Sequence, residues 1–134
     1  MAGFEFAYCI HGGAPFKIKI PVADTVVLSQ NEMVNLESGE ADAAATNDTN
    51  LVGAAESAVD NTDDGLFVWV IADPYAVYAV TDANARLAGD TLDIGTGGLT
   101  VAASSSVDLI VVTPSTATEK THVMIAHGEH YLRP

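Results

Sequence analysis

Leu66-Phe-Val-Trp-Val-Ile-Ala-Asp-Pro-Tyr-Ala-Val-Tyr-Ala-Val80 is the stretch that decides the fold. Its first seven residues are β-branched, aromatic or aliphatic and carry no charge, which is typical of a buried strand rather than a helix. Asp73-Pro74 then predicts a turn, because proline fixes its own φ and moves the preceding residue out of the helical region. A second strand follows at Ala76–Val80. We therefore expect a β-hairpin at the centre of the sheet.

Short apolar runs recur along the rest of the chain, separated by Gly, Pro, Asn and Asp, with almost no helical periodicity. This pattern predicts an all-β fold, a single small β-barrel or sandwich of short antiparallel strands. Gly53 interrupts one of the runs and indicates a bulge or a close approach of two backbones. Alternation along the two most apolar strands predicts a set of core side chains: Phe67, Trp69, Ile71, Ile110 and Val112. The opposite, partly covered face is expected to carry Val68, Val70 and Val111.

The composition limits the classes of function. The chain has 134 residues, 49% of them hydrophobic, which suits one domain with a packed core. Five Lys and Arg stand against eighteen Asp and Glu, a net charge of −13 that would repel nucleic acid and anionic membranes. No apolar stretch reaches about 18 residues, so we expect no membrane span. Cys9 has no partner for an internal disulfide and no basic signal-peptide region precedes it, which favours synthesis in a reducing cytoplasm.

The N-terminal segment, residues 1–13, is expected to be distinct from a barrel domain at 14–134 that ends in a C-terminal tail. Phe4, Phe6, Tyr8 and Ile10 alternate with other residues, which is strand periodicity, and Gly12-Gly13 follows as a flexible break. Such a segment forms either an edge strand of its own domain or an extended arm that adds to a neighbouring subunit's sheet.

The next strand carries Lys17 and Lys19 on one face. Lysine on an edge strand protects the edge against unwanted pairing. The functional alternative is a small basic contact for an acidic partner.

No motif predicts catalysis or metal binding. Asp60-x-Thr62-x-Asp64-Gly65 resembles the start of a calcium loop, but Ile71 stands where the bidentate glutamate is needed, so a turn is expected. Cys9-x-His11 and His127-x-x-His130 have spacings that zinc sites use. Residues three apart on an extended segment point to opposite faces, however, so we expect separate structural or surface histidines. The chain is therefore predicted not to be an enzyme and to bind no metal or cofactor.

The order of strands and turns from 14 to 113 carries a resemblance. It runs from the strand at Phe16–Val22 through Leu28–Gly39, an Ala/Asp/Thr stretch and Asn50–Glu56 to the strand at Phe67–Ile71. This order resembles the small β-barrel decoration, or cement, proteins on the heads of tailed bacteriophages.

The resemblance implies a structural virion protein, made in the host cytoplasm, that sits on the outer capsid surface. It would bind the major capsid protein, often as a homotrimer, and stabilise contacts between capsid subunits. Under it, the residues expected to contact the capsid or a sister subunit are Phe4, Phe6, Tyr8, Ile10, Lys17 and Lys19. The alternative is a ligand-binding module, such as a carbohydrate-binding or fibre-type domain, with a platform of exposed aromatics like Trp69, Tyr75 and Tyr78.

Overall fold

The computed structural model describes residues 3–63, 65–103 and 106–133, and for Thr96 the backbone alone. Met1 and Ala2 of the predicted N-terminal segment, Asp64 of the predicted turn and Pro134 of the predicted tail lie outside the described residues. Two single-turn 3-10 helices lie at Thr96–Gly98 and His127–Glu129, and no helix among the described residues has the length and apolar character to cross a membrane. The β-strands are β1 (Glu5–Cys9), β2 (Lys17–Pro21), β3 (Val27–Leu28), β4 (Met33–Glu37), β5 (Glu40–Ala43), β6 (Leu51–Ala54), β7 (Val59–Asp60), β8 (Phe67–Ile71), β9 (Ala76–Val80), β10 (Thr91–Ile94), β11 (Val101–Ala103), β12 (Leu109–Thr113) and β13 (Thr121–Ile125).

The strands form four antiparallel sheets. The largest has the order β1-β9-β13-β12-β10-β11, and a three-stranded sheet has the order β5-β4-β6. Two pairs, β2-β8 and β3-β7, complete the fold. The all-β prediction is confirmed, and the sheets stack as layers, without a closed barrel among the described residues.

The predicted central hairpin is wrong. Strand β8 pairs with β2, whereas β9 pairs with β1 and β13 in the six-stranded sheet. The link between the two strands therefore carries the chain from one sheet to another. Asp73 organises this crossing, since its Oδ1 accepts a hydrogen bond from the Tyr75 backbone N–H at 3.0 Å. The turn at Asp73-Pro74 is real, but a turn residue fixes only the local path and not the partner of the next strand.

The middle layer, β4 and β6, is buried on both sides. Val34 and Val52 belong to a cluster shared with β2 and β8, and Met33 and Leu51 belong to a second cluster under the six-stranded sheet. Successive residues of a strand point to opposite faces, so these strands supply side chains to both clusters. The three-stranded sheet therefore has no solvent face at its centre.

The predicted facing of β8 is reversed. Val68 and Val70 are buried, with exposed fractions of 2% and 0%, whereas Phe67 and Trp69 are 52% and 51% exposed. The buried cluster that Val68 and Val70 enter consists of Val, Ala, Ile and Leu, side chains much smaller than an indole. The reversal also holds in β12, where Val111 is buried and its neighbours Ile110 and Val112 are half-buried. Only the burial of Ile71 is confirmed.

Gly53 lies at the closest approach of the layers, as predicted. Its φ is +152°, and a Cβ placed there would lie 1.8 Å from the Ile71 carbonyl oxygen and 2.5 Å from the Tyr78 hydroxyl. The β4–β6 ladder also shifts register between Val34 and Asn35, opposite this glycine. Because Gly53 has no side chain, β6 can lie close to both the sheet crossing and β9.

The C-terminal segment packs against β6. The Tyr131 backbone N–H donates to the Leu51 carbonyl at 2.8 Å. His130 is fully buried; its Nε2 lies 3.1 Å from the Val52 carbonyl oxygen, and its Nδ1 accepts from the Leu132 N–H. These two contacts fix the neutral tautomer with the proton on Nε2, and burial lowers the pKa of the imidazole.

Candidate functional site

The predicted N-terminal contact residues lie in edge strand β1 of the chain's own sheet (Phe6 and Tyr8) or directly beside it (Phe4 and Ile10). Residues 5–9 pair with β9, which is the first of the two alternatives that the sequence leaves open. Phe4 is completely buried and packs edge-on against the Tyr78 ring at a centroid distance of 6.5 Å. This residue stabilises the fold and is not available to a partner in this structure.

A bulge separates the remaining side chains of this strand. Phe6 opposes Tyr78 and Tyr8 opposes Val77, so two residues of β1 span one residue of β9. Opposed residues share a face of the sheet, so Phe6 and Tyr8 point to opposite faces. Regular strand alternation would place these side chains on one face with Ile10, and the bulge prevents this. All three remain accessible, at 36%, 39% and 54% exposure, and we call Phe6, Tyr8 and Ile10 the β1 edge surface.

The β1 edge surface continues onto the outer face of the sheet. The Tyr8 ring packs edge-on against His122 of β13 at 6.1 Å between centroids. Glu5 forms an ion pair with Lys120, which ties β1 to the end of β13. The edge strand is therefore held by side chains as well as by its ladder.

A second surface lies on the β2–β8 pair. Lys19 opposes Trp69 and Lys17 opposes Ile71, so both lysines share a face with the exposed aromatics of β8. The Lys19 ammonium lies 5.0 Å from the centroid of the Phe67 ring, within cation–π distance. We call Lys17, Lys19, Phe67 and Trp69 the lysine–aromatic face.

The lysines of this face differ in their surroundings. Lys17 Nζ lies 2.5 Å from Glu56 Oε1, and both side chains are partly exposed. An ion pair in such a position contributes little to stability because water screens it. The ion pair holds Lys17 beside β6, whereas Lys19 lies over an aromatic ring. The face thus combines two cations with apolar area in a strongly acidic chain.

A third feature brings Cys9 and His11 together with Asp73. Among the described residues, these three side chains place a thiol, an imidazole and a carboxylate donor atom within 4.8 Å of one another. His11 Nε2 lies 2.7 Å from Asp73 Oδ2, and Cys9 Sγ lies 3.7 Å from the same oxygen. Cys9 and Asp73 are buried, while the His11 side chain is 44% exposed.

The electrostatics of this group follow from burial and hydrogen bonding. Burial alone would raise the pKa of Asp73, but hydrogen bonds from His11 and from the Tyr75 backbone N–H outweigh it and hold that pKa below its ordinary value. Burial, and to a smaller extent the nearby Asp73 charge, raises the pKa of the Cys9 thiol to about 11. The resting state is therefore a protonated thiol beside an ionised carboxylate.

The other predicted motifs behave as structural features. Asp60 Oδ1 accepts a hydrogen bond from the Thr62 backbone N–H at 3.1 Å, which closes a turn as expected. His127 packs against the Tyr75 ring at 5.2 Å, and His130 points towards β6. His127 and His130 do not form a three-donor group with any neighbour among residues 3–63, 65–103 and 106–133.

Comparisons with known proteins bear on the fold. No protein-family model and no curated protein matches the sequence. Among solved structures, the fold is similar to the head fibre gp8.5 N base of bacteriophage phi29, with a TM-score of 0.57 at 18% sequence identity. The match covers 85% of this chain and 98% of that one. The likeness shows a shared all-β fold over nearly the whole phage domain.

Sequence reasoning missed the exposed aromatics of β8 and the third donor beside Cys9 and His11. Alternation predicts that Phe67 and Trp69 share a face, but it does not tell which face is buried. Asp73 lies 62 residues from His11 in the chain, and only the pairing of β1 with β9 brings them together. The one local signal was the placement of Cys9 and His11 two residues apart, a spacing that puts both on one side of an extended segment.

Proposed function

We propose that this protein is a non-catalytic structural component of a tailed-phage head that binds the major capsid protein on the outer surface of the shell. The observation that carries the proposal is the fold, which matches nearly the whole N base of a phage head fibre. The order of strands and turns that resembles capsid decoration proteins supports the same role independently of that match.

The exposed apolar surfaces fit a protein that docks on a larger assembly. Phe67 and Trp69 each expose about half of their surface on the two-stranded β2–β8 pair, next to Lys19. Aromatic side chains are enriched at the energetic centres of protein interfaces. The lysine–aromatic face is therefore our first candidate for the capsid contact, and the β1 edge surface is the second.

The charge distribution supports such a choice of face. With a net charge of −13, neighbouring copies on a shell repel each other over most of their surfaces. Two of the five basic residues lie on the lysine–aromatic face, so this face is the one suited to an acidic partner surface. Many identical contacts on a capsid lattice would add avidity to weak individual contacts.

The test is co-sedimentation of the labelled protein with heads of the phage that carries its gene. Trp69→Ala should weaken binding at least about tenfold, the effect of removing one interface anchor. Leu87→Ala is the matched control, since Leu87 is 69% exposed but lies outside both candidate surfaces. Tyr8→Ser tests the β1 edge surface. If the wild-type protein does not sediment with heads, the proposal is wrong.

We propose that the protein acts as a homo-oligomer, with a trimer as the state that the resemblance implies. Light scattering coupled to size-exclusion chromatography measures this state directly. A monomer at micromolar concentration would contradict the oligomer but not the capsid contact.

A second candidate function is ligand binding by an aromatic platform, such as carbohydrate binding. The exposed indole of Trp69 favours it, because a sugar ring can pack on such a face. Tyr78, one of the residues predicted for the platform, is completely buried and cannot take part, whereas Tyr75 is 38% exposed. A glycan array separates the candidates: a specific glycan signal that Trp69→Ala abolishes, without binding to heads, would favour the platform.

A further inference from the structure

We propose that Cys9, His11 and Asp73 form a zinc-binding site that joins the end of β1 to the sheet crossing between β8 and β9. The donor set of one thiol, one imidazole and one carboxylate is suited to Zn²⁺, which is usually held by Cys, His and acidic ligands in tetrahedral geometry. Three protein ligands leave a fourth position, which a water molecule or an anion takes.

The Cys9–Asp73 distance is close to the one that zinc requires, whereas the His11–Asp73 distance is too short. With Zn–S near about 2.3 Å and Zn–O near about 2.1 Å, a tetrahedral site separates sulphur and oxygen by about 3.6 Å. Cys9 Sγ lies 3.7 Å from Asp73 Oδ2. His11 Nε2 is hydrogen-bonded to the same oxygen at 2.7 Å and must move outwards to about 3.4 Å to make room for the ion.

The chain around His11 permits this movement. The His11 side chain is 44% exposed, and Gly12 and Gly13 follow directly. Apart from its chain neighbours, no heavy atom lies within 4 Å of the position that a Gly12 Cβ would occupy, so there is open space beside Gly12. The ligands on the other side are fixed, because Asp73 accepts from the Tyr75 N–H and Cys9 opposes Ala76 in the β1–β9 ladder.

The proton balance defines the chemistry. Zn²⁺ replaces the proton of the Cys9 thiol, which passes to the buffer, and a Zn–S bond forms. The Gly13 N–H now donates to His11 Nδ1 at 3.2 Å, so Nε2 carries the imidazole proton in the absence of metal. Binding moves this proton to Nδ1 and breaks that long hydrogen bond, without a change in the charge of the ring. One proton is therefore released for each ion bound.

The site would strengthen the edge of the six-stranded sheet. Cys9 and His11 flank Ile10 of the β1 edge surface, and Asp73 lies 62 residues further along the chain from His11. A shared ion would cross-link these segments in the folded state alone, since unfolding separates the ligands. The inference stands without the capsid proposal, and its test uses no capsids.

The experiment is calorimetric titration of Zn²⁺ into the metal-free 134-residue protein kept reduced with a phosphine reductant. We expect one ion per chain, release of one proton seen by repeating the titration in buffers of different ionisation enthalpy, and a higher Tm. Co²⁺ in place of Zn²⁺ should give the near-ultraviolet absorption of a cobalt–thiolate bond. The cobalt spectrum needs no variant, so it reports on Cys9 even if a Cys9 variant misfolds.

The variants identify the ligands. His11→Gln removes an exposed side chain and should weaken zinc binding at least about tenfold, since even the loss of an outer-shell partner costs that much. His122→Gln is the matched control, because His122 is half-buried on the same sheet and contacts Tyr8 rather than Asp73. The proposal is overturned if the wild-type protein binds no stoichiometric zinc, or if the two variants bind it equally. Either result would leave the cluster as a hydrogen-bonded structural group.

Discussion

Substitution of Gly53 by alanine should strongly destabilise the protein, because this residue lies where three layers of the fold meet. A Cβ at Gly53 would lie 1.8 Å from the Ile71 carbonyl oxygen, which is backbone and cannot rotate away. The φ of +152° is also one that residues with a side chain rarely adopt. Both effects act on the folded state.

The expected loss of stability is the sum of the backbone strain and the crowding. A backbone held in a sparsely populated region costs about 1–3 kcal/mol. Crowding of a packed interior by one added methyl group costs about another 1–3 kcal/mol. We therefore expect Gly53→Ala to lower the free energy of unfolding by about 2–6 kcal/mol, a large part of the about 5–15 kcal/mol that a domain usually has.

Gly39→Ala is the control that separates the terms. Gly39 has φ of +80°, but no atom lies within 4 Å of the added Cβ, so only the backbone term applies. Urea unfolding followed by circular dichroism measures both variants. If Gly53→Ala costs no more than Gly39→Ala, the close approach of β6 to the sheet crossing does not exist as described.

Three further predictions follow from burial and charge. Trp69→Ala should change the free energy of unfolding by less than about 1 kcal/mol, whereas Leu51→Ala, at a fully buried position, should cost about 2–5 kcal/mol in the same urea melts. Phe4→Ala should cost about 3–5 kcal/mol, so deletion of residues 2–13 should destabilise the fold as well as remove the β1 edge surface; unchanged stability would mean that β1 does not pack on its own sheet. The pKa of His130 is lower in the folded protein than its value of about 6.5 in the unfolded chain. Folding is therefore more stable above this unfolded pKa, and that stability is lost as pH falls towards the folded pKa. Burial raises the pKa values of Glu32 and Asp108, which changes stability with pH in the opposite direction. The measurement is therefore the difference between wild type and His130→Gln in thermal melts from pH 7 to 5. The same change of Tm with pH in both proteins would contradict a neutral buried His130.

The elements of the fold were predictable from the sequence, but their partners were not. The apolar runs at 67–71 and 76–80 form β8 and β9 with the predicted bounds. Pairing depends on contacts between distant parts of the chain, and nothing in the Asp73-Pro74 turn states that β9 will pair with β1 and β13. The hairpin prediction failed at this step.

In the candidate surfaces, too, features set within one strand were predictable, whereas features that depend on distant parts of the chain were not. Lys17 and Lys19 were expected on one face of their strand, and the register of β2 against β8 bears this out. Their aromatic neighbours were expected in the core, because large apolar side chains usually are. Here the buried cluster takes the small side chains Val68 and Val70 from β8 and leaves Trp69 on the outer face, a choice that depends on residues from several strands. The cluster at Asp73 was equally invisible, since its third donor comes from another element.

Strand β6 ties the molecule into one cooperative unit. Val52 and Leu51 supply the two hydrophobic clusters on opposite sides, and the C-terminal segment pairs with the same strand. Loss of β6 would open both clusters at once, so neither half of the chain can retain its packing alone. The calorimetric and van't Hoff enthalpies of thermal unfolding should therefore agree, as they do when no partly folded species accumulates. Under mechanical load, too, the protein would then unfold in one step rather than by the loss of single layers.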